Sequence, residues 1–74
     1  MYKIKKDVID KILKENNIKK WGSKTLLAEK SGLSRGYVNQ VLLGTRIIKK
    51  KTEALALTKS ISSDLEIENL FDIM

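Results

Sequence analysis

The sequence predicts a single all-α domain of five short helices over residues 1–74. Proline is absent, and apolar residues recur at helical spacing and not in the alternation typical of strands. Gly32 and Gly44 each follow an apolar helical segment, at the place where a residue with positive φ commonly ends a helix. A chain of 74 residues is near the lower limit for folding on one apolar core, so we expect one compact domain.

The first helix is predicted from Asp7, which can cap it, to about Asn17. Its apolar residues form two rows at i, i+4 spacing: Val8, Ile9, Ile12 and Leu13. Beyond Asn17 the apolar face shifts its phase, so the helix either ends there or continues with a bend as far as Gly22. We expect Trp21 in the core.

The second helix is predicted from Lys24 to Ser31 and the third from Arg35 to Leu43. Ser23 and Ser34 precede them as N-cap residues, and a glycine ends each one. Their inward-facing residues are Leu27, Ala28, Val38, Val41 and Leu42.

The fourth helix is predicted from about Thr52 to Ser60, after a connector over residues 45–51. A fifth, acidic helix over residues 64–74 is predicted from the capping-box pattern of Ser63 and Glu66. It carries more apolar surface than so short a helix needs, which indicates either contact with a second chain or closure of the core. The candidate dimer contacts are Leu70, Phe71, Ile73 and Met74.

The charge of the chain is uneven. It has 15 Lys and Arg against 9 Asp and Glu, a net charge of +6. All of the basic residues lie within positions 1–59, whereas residues 60–74 hold four acids and no base. A basic body of this kind suits a polyanion, because phosphate contacts release condensed counterions. A lysine-rich solvated surface has the same composition, so charge alone leaves both interpretations open.

Several functional classes are disfavoured by composition. The chain has no cysteine and no histidine, which removes disulfides, thiolate nucleophiles, imidazole bases and the usual zinc ligands. We therefore expect no enzyme, no metal and no cofactor. No apolar run approaches the 18 or so residues of a membrane span, and no signal-peptide stretch follows the basic residues 1–6. We expect a cytoplasmic protein.

Residues 24–43 combine the features that a helix-turn-helix motif requires. Ala28 is small where the two helices would touch, and Gly32 permits a tight turn between them. Leu33, Val38 and Val41 can hold the second helix against the first, so that its other side protrudes toward a major groove. Within a basic chain, this set predicts binding to double-stranded DNA.

Residues 21–61 resemble the lambda-repressor-like (Cro/CI, XRE-type) helix-turn-helix domains. The similar segments are 14–18, 27–30, 32–35 and 44–46. The resemblance implies a phage Cro/CI-like repressor that binds operator DNA as a homodimer. The chain departs from the family in the stretch 19–22 before the second helix and in the absence of a proline from the connector.

Helical phase and this resemblance together predict the DNA contacts. The residues expected at base edges are Arg35, Gly36, Tyr37, Asn39 and Gln40, with packing as the alternative for Tyr37. Arginine can fork onto guanine O6 and N7, and glutamine can bond adenine N6 and N7. The residues expected at phosphates are Ser23, Lys24, Ser34, Thr45, Arg46, Lys49, Lys50 and Lys51. Residues 1–6 could form a basic arm along the DNA, although a disordered segment is the preferred interpretation.

Two further functions on the same fold stay open. An antitoxin-type autoregulator would bind DNA and also a partner protein, the latter through the acidic helix at residues 64–74. A protein-interaction adaptor would keep the fold without binding DNA. The basic outward face that Arg35, Gln40 and Arg46 are expected to form argues against the adaptor.

Overall fold

The computed structural model describes residues 1–19 and 22–74, without the side chain of Ser23. Its elements are β1 Tyr2–Ile4, α1 Lys6–Glu15, α2 Ser23–Ser31, α3 Arg35–Leu43, α4 Lys51–Ile61, α5 Ile67–Leu70 and β2 Phe71–Ile73. The described part is therefore mostly helical with five helices, as predicted. It is not all-α, because β1 and β2 pair as a small antiparallel sheet.

The observed helices begin and end close to the predicted residues. α3 has the predicted bounds, and its start is stabilised by Ser34, whose Oγ accepts a hydrogen bond from the Tyr37 backbone N–H at 3.2 Å. Gly32 and Gly44 follow α2 and α3 with φ of 77° and 82°, left-handed values that suit glycine. α2 begins one residue early, so that Gly22 precedes it and Ser23 is its first residue and not its cap.

The end of α1 resolves the alternative left open by the sequence. The helix ends at Glu15, two residues before the predicted end, and Asn17 has a left-handed φ of 59°. The Asn16 side chain donates to the Ile12 carbonyl at 2.8 Å, which satisfies one of the free carbonyls of the last turn. A bent continuation of α1 is therefore wrong. The prediction of Trp21 as a core residue lies outside the described residues.

The prediction of an acidic helix over residues 64–74 is wrong beyond a single turn. Residues 63–64 form a turn, and α5 covers only Ile67–Leu70. The capping box lies three residues later than predicted, where Asn69 Oδ1 accepts from the Glu66 backbone N–H at 2.8 Å. Phe71–Ile73 is extended because it has a strand partner in β1.

The prediction of residues 1–6 as a basic arm or disordered segment is also wrong. β1 pairs with β2 in the register Tyr2↔Ile73, Lys3↔Asp72, Ile4↔Phe71. On its other side β1 bonds the connector: the Tyr2 N–H donates to Ile48 O at 2.8 Å and the Ile48 N–H to Tyr2 O at 2.9 Å. This segment therefore holds together the two ends of the fold and the connector after α3.

The described residues form an apolar core between the helices and the sheet. α2 packs against both α3 and α4, and β1 packs against α3. The core residues are Ile4, Ile9, Leu13, Leu27, Val38, Val41, Ile48, Ala54, Leu57, Ile61, Ile67, Leu70 and Phe71. Within it, the Thr58 hydroxyl donates to the Ala54 carbonyl of its own helix at 2.8 Å, so this buried polar group is satisfied.

Candidate nucleic-acid interface

The outward side of α3 is determined by two buried valines. Val38 and Val41 are fully buried, and their helical phase leaves Arg35, Gly36 and Gln40 exposed. A Cβ on Gly36 would meet no protein atom within 4 Å, so the first turn of α3 has open space on this side. Of the residues predicted to contact bases, these three are therefore the ones that the fold presents to solvent.

Arg35 lies beside the first turn of α2. Its Nη1 donates to Thr25 Oγ1 at 3.5 Å, a long contact between two exposed side chains. A hydrogen bond of this length and exposure is weak, so the guanidinium can leave it for a better acceptor. The contact brings Arg35 close to the exposed Lys24, the residue before Thr25.

Tyr37 faces α4. Its hydroxyl donates to Glu53 Oε1 at 3.1 Å, and the side chain is half-buried against the core. Burial raises the pKa of the phenol above its ordinary 10.0, and the hydrogen bond and negative charge of Glu53 raise it further, while Arg46 opposes them. These contacts favour the packing alternative for Tyr37 over a contact with a base.

Asn39 is also turned partly inward. It is half-buried, and its Oδ1 is buried with no hydrogen-bond partner among the described residues. A buried acceptor that points into the protein is not available to a base edge, so the predicted contact of Asn39 with DNA has little geometric support.

Arg46 connects α3 to the connector that follows it. Its guanidinium carbon lies 4.8 Å from the centre of the Tyr37 ring, and its Nη1 donates to Gln40 Oε1 at 3.3 Å. Thr45 folds back in the same place, since its N–H and its hydroxyl both donate to the Gln40 carbonyl, at 3.0 and 3.1 Å. The first residues of the connector are thus attached to the last turns of α3.

The connector presents a group of cations beside α3. Buried Ile48 anchors it, and the exposed Lys49, Lys50 and Lys51 follow directly. A cleft of about 570 Å³ opens here, lined by Met1, Tyr37, Thr45, Arg46, Ile47, Lys49, Lys50 and Glu53. We refer to the exposed cations beside the two ends of α3 as the basic face; they are Lys24, Arg35, Arg46, Lys49, Lys50 and Lys51.

Three residues that organise the basic face were missed in the sequence. They are Thr25, Ile48 and Glu53, which contact Arg35, anchor the connector and bind Tyr37, respectively. Ile48 had a signal, since it belongs to an apolar pair within a basic stretch. Thr25 and Glu53 had none, because their roles arise from contacts between different helices.

The predicted dimer contacts divide into two pairs. Leu70 and Phe71 are 0% and 1% exposed and close the core, so as dimer contacts they are wrong. Ile73 and Met74 are each 62% exposed and stay available. Much of the apolar surface of this segment is therefore buried in the core of its own chain.

Among the described residues, no helix is long and apolar enough to cross a membrane, and no group of three or more acidic side chains could hold a metal ion. Of the predicted contact residues, Lys24, Arg35, Arg46, Lys49, Lys50 and Lys51 lie on the basic face. No protein-family model, no curated protein and no solved structure matches this chain.

Proposed function

We propose that this protein is a sequence-specific regulator of transcription that binds double-stranded DNA, acting as a repressor of the Cro/CI type in a prokaryotic or phage-infected cell. The observation that carries the proposal is the exposure of Arg35 and Gln40 on a helix fixed by Val38 and Val41. An α-helix held in this way fits the width of the major groove, where arginine and glutamine can bond base edges.

The basic face supplies what the DNA backbone requires. Lys24 lies in the first turn of α2, and Lys50 and Lys51 lie at the start of α4. Cations at a helix N-terminus oppose the helix dipole, and a bound phosphate would remove that conflict. Arg46 and Lys49 extend the same charge along the end of α3, so the cations flank the residues proposed to contact bases.

The alternative functions have less support from the geometry. An antitoxin-type regulator would bind its protein partner through the acidic helix that the sequence predicts at residues 64–74. Only Ile67–Leu70 is helical, and Ile67 and Leu70 are both buried in the core. A protein-interaction adaptor would not need the five cations that flank the exposed side of α3, which are Lys24, Arg46, Lys49, Lys50 and Lys51.

We also propose that the protein binds DNA as a homodimer, with the edge of β2 as the contact between copies. Met1 and Met74 exchange both of their backbone hydrogen bonds, and the Lys5 N–H donates to Leu70 O, so the ladder to β1 uses alternate residues. The N–H and C=O of Ile73 therefore point away from β1, toward the open edge. An antiparallel copy with Ile73 opposite Ile73 would use these groups and would bury the exposed Ile73 side chains.

The proposal is tested by selecting duplexes from a random pool and measuring affinity for the selected and for scrambled sequences. We expect Arg35→Ala to cost about 1–3 kcal/mol on the selected duplex and clearly less on the scrambled one, where only its charge is lost. Arg35→Lys is the matched control: it keeps the charge but loses the forked donors, so its salt dependence should be that of the wild type while base preference falls. A selected palindrome with half-sites about 34 Å apart would support the homodimer.

Two results would count against the proposal. One is equal weakening of selected and scrambled duplexes by Arg35→Ala. The other is a wild-type protein that is indifferent to duplex DNA at low salt, where phosphate contacts are strongest.

A further inference from the structure

Gln40 is held in one orientation by a side chain from outside its own helix. Arg46 Nη1 donates to Gln40 Oε1 at 3.3 Å. We infer that Arg46 is a positioning residue that makes Gln40 a reader of guanine and not of adenine. The inference deepens the proposed function and rests on it, because it concerns which base the exposed side of α3 selects.

The chemistry of the two side chains fixes the orientation. A guanidinium has donors and no acceptor, so the atom of Gln40 that faces Arg46 must be the carboxamide oxygen. The oxygen is thereby turned toward the connector, and the NH₂ group is the end that remains for DNA. Gln40 itself is exposed, so this group is accessible.

The two purines present different hydrogen-bonding groups to a glutamine side chain. Adenine offers N7 as an acceptor and N6 as a donor, so a bidentate contact needs both ends of the carboxamide. Guanine offers two acceptors, N7 and O6, which an outward NH₂ group can satisfy by itself. With its oxygen held by Arg46, Gln40 matches guanine. In the adenine contact expected from the residue type alone, the same oxygen would also have to accept from adenine N6 through its second lone pair, although Arg46 turns it toward the connector.

Arg46 is in turn held by contacts that do not involve DNA. Its guanidinium lies over the Tyr37 ring at 4.8 Å, an arrangement stabilised by attraction between the cation and the ring face. The Tyr37 hydroxyl donates to Glu53 Oε1 at 3.1 Å, which fixes the ring against α4. The two hydrogen bonds from Thr45 to the Gln40 carbonyl also fix the chain just before Arg46. The orientation of Gln40 is thus set before DNA arrives.

The test uses the full chain and duplexes that differ at one base pair, the pair at which Gln40→Ala abolishes discrimination. For the wild type we expect guanine to be preferred over adenine there by about fivefold or more. Arg46→Met keeps an unbranched apolar stem over Tyr37 but removes the donors and the charge. Arg46→Met should weaken binding to both duplexes and should also shift the ratio of the two affinities toward adenine by about fivefold or more.

Lys49→Met is the matched control. Lys49 lines the same cleft as Arg46 and carries the same charge, but forms no hydrogen bond to Gln40. It should weaken binding to both duplexes equally and leave the ratio unchanged. Adding Arg46→Met to Gln40→Ala should likewise leave the ratio unchanged, because no carboxamide remains to be positioned. Tyr37→Leu, which removes the ring beneath Arg46, should shift the ratio in the same direction as Arg46→Met.

The outcomes separate this inference from the proposed function. A wild type that selects adenine at this position, or an Arg46→Met variant that weakens both duplexes by the same factor, overturns the role of Arg46 while DNA binding stands. A wild type with no base preference at any position overturns both. Circular dichroism shows whether each variant is folded. If Arg46→Met does not fold, the shift of the guanine-to-adenine ratio in Tyr37→Leu tests the role of Arg46.

Discussion

The basic face and the sheet region differ in how their side chains are used. The sheet region consists of β1, α5 and β2; its Ile4, Leu70 and Phe71 are at most 2% exposed, and its acidic residues face solvent. On the basic face, the side chains are exposed and held by a few long hydrogen bonds, such as that of Arg35 to Thr25 at 3.5 Å. The first region therefore maintains the fold, whereas on the second Arg35 is free to exchange its contact with Thr25 for one with a ligand.

The largest effect is expected from Phe71→Ala, a change confined to the sheet region. Phe71 is 1% exposed and contacts the Tyr2 ring edge-on at 6.5 Å, so its loss leaves a cavity. We expect the free energy of unfolding to fall by about 3–5 kcal/mol, as measured by urea denaturation followed by circular dichroism. The total for a chain of this length is only about 4–11 kcal/mol, so little stability would remain.

Ile73→Ala is the control for that change, since Ile73 lies in the same strand but is 62% exposed. It should alter the free energy of unfolding of the monomer by less than about 0.5 kcal/mol. Equal losses in the two variants would mean that the sheet region does not close the core.

Much of the helical part of the fold was predictable because its signals are local. Ser34 and Gly44 mark the two ends of α3 within its own sequence, and the spacing of Val38 and Val41 gives its buried side. β1 and β2 were not predictable in this way. Each has three residues, and Tyr2 pairs with Ile73, 71 positions away, so no local pattern reveals the partner. Without a partner, the apolar residues after Leu70 fit a helix equally well.

The same distinction holds for the candidate site. The exposure of Arg35 and Gln40 follows from helical phase, which the sequence contains. The contact of Tyr37 with Glu53 and that of Arg46 with Gln40 join different elements, and they depend on how α3, α4 and the connector pack. Residue type gives the chemistry of Gln40, but its orientation is a property of the folded chain.

A smaller effect is expected from Lys50→Ala, which tests the basic face without touching the core. Lys50 is exposed and precedes α4. If it contacts a phosphate, its loss should weaken binding to all duplexes alike and reduce the slope of log K against log salt by about 1. Fluorescence anisotropy over a range of salt concentrations measures both quantities, and the urea midpoint should not change.

Lys59→Ala removes the same charge from the last turn of α4, eight residues after Lys51 and roughly 12 Å along the helix axis. It should leave the salt slope unchanged. A loss of slope as large as that of Lys50→Ala would show that the effect comes from net charge and not from a localised contact.

The smallest effect is expected from the titration of Tyr37, which links the two regions through α4. With Tyr2→Phe in place, Tyr37 is the only tyrosine, and the ultraviolet absorbance of its phenolate should have a midpoint above pH 10.0. Because the folded-state pKa is raised, the stability that this group contributes is complete below pH 10.0 and is lost as pH rises through the folded-state pKa. The free energy of unfolding should therefore fall less steeply at alkaline pH in Tyr37→Phe. Glu53→Gln removes the charge beside the phenol but keeps a hydrogen-bond acceptor, so it should lower the Tyr37 midpoint relative to the Tyr2→Phe protein. A midpoint at or below pH 10.0 in the Tyr2→Phe protein itself would contradict the prediction. It would mean that the contact between Tyr37 and Glu53, which holds the ring beneath Arg46, does not form in solution.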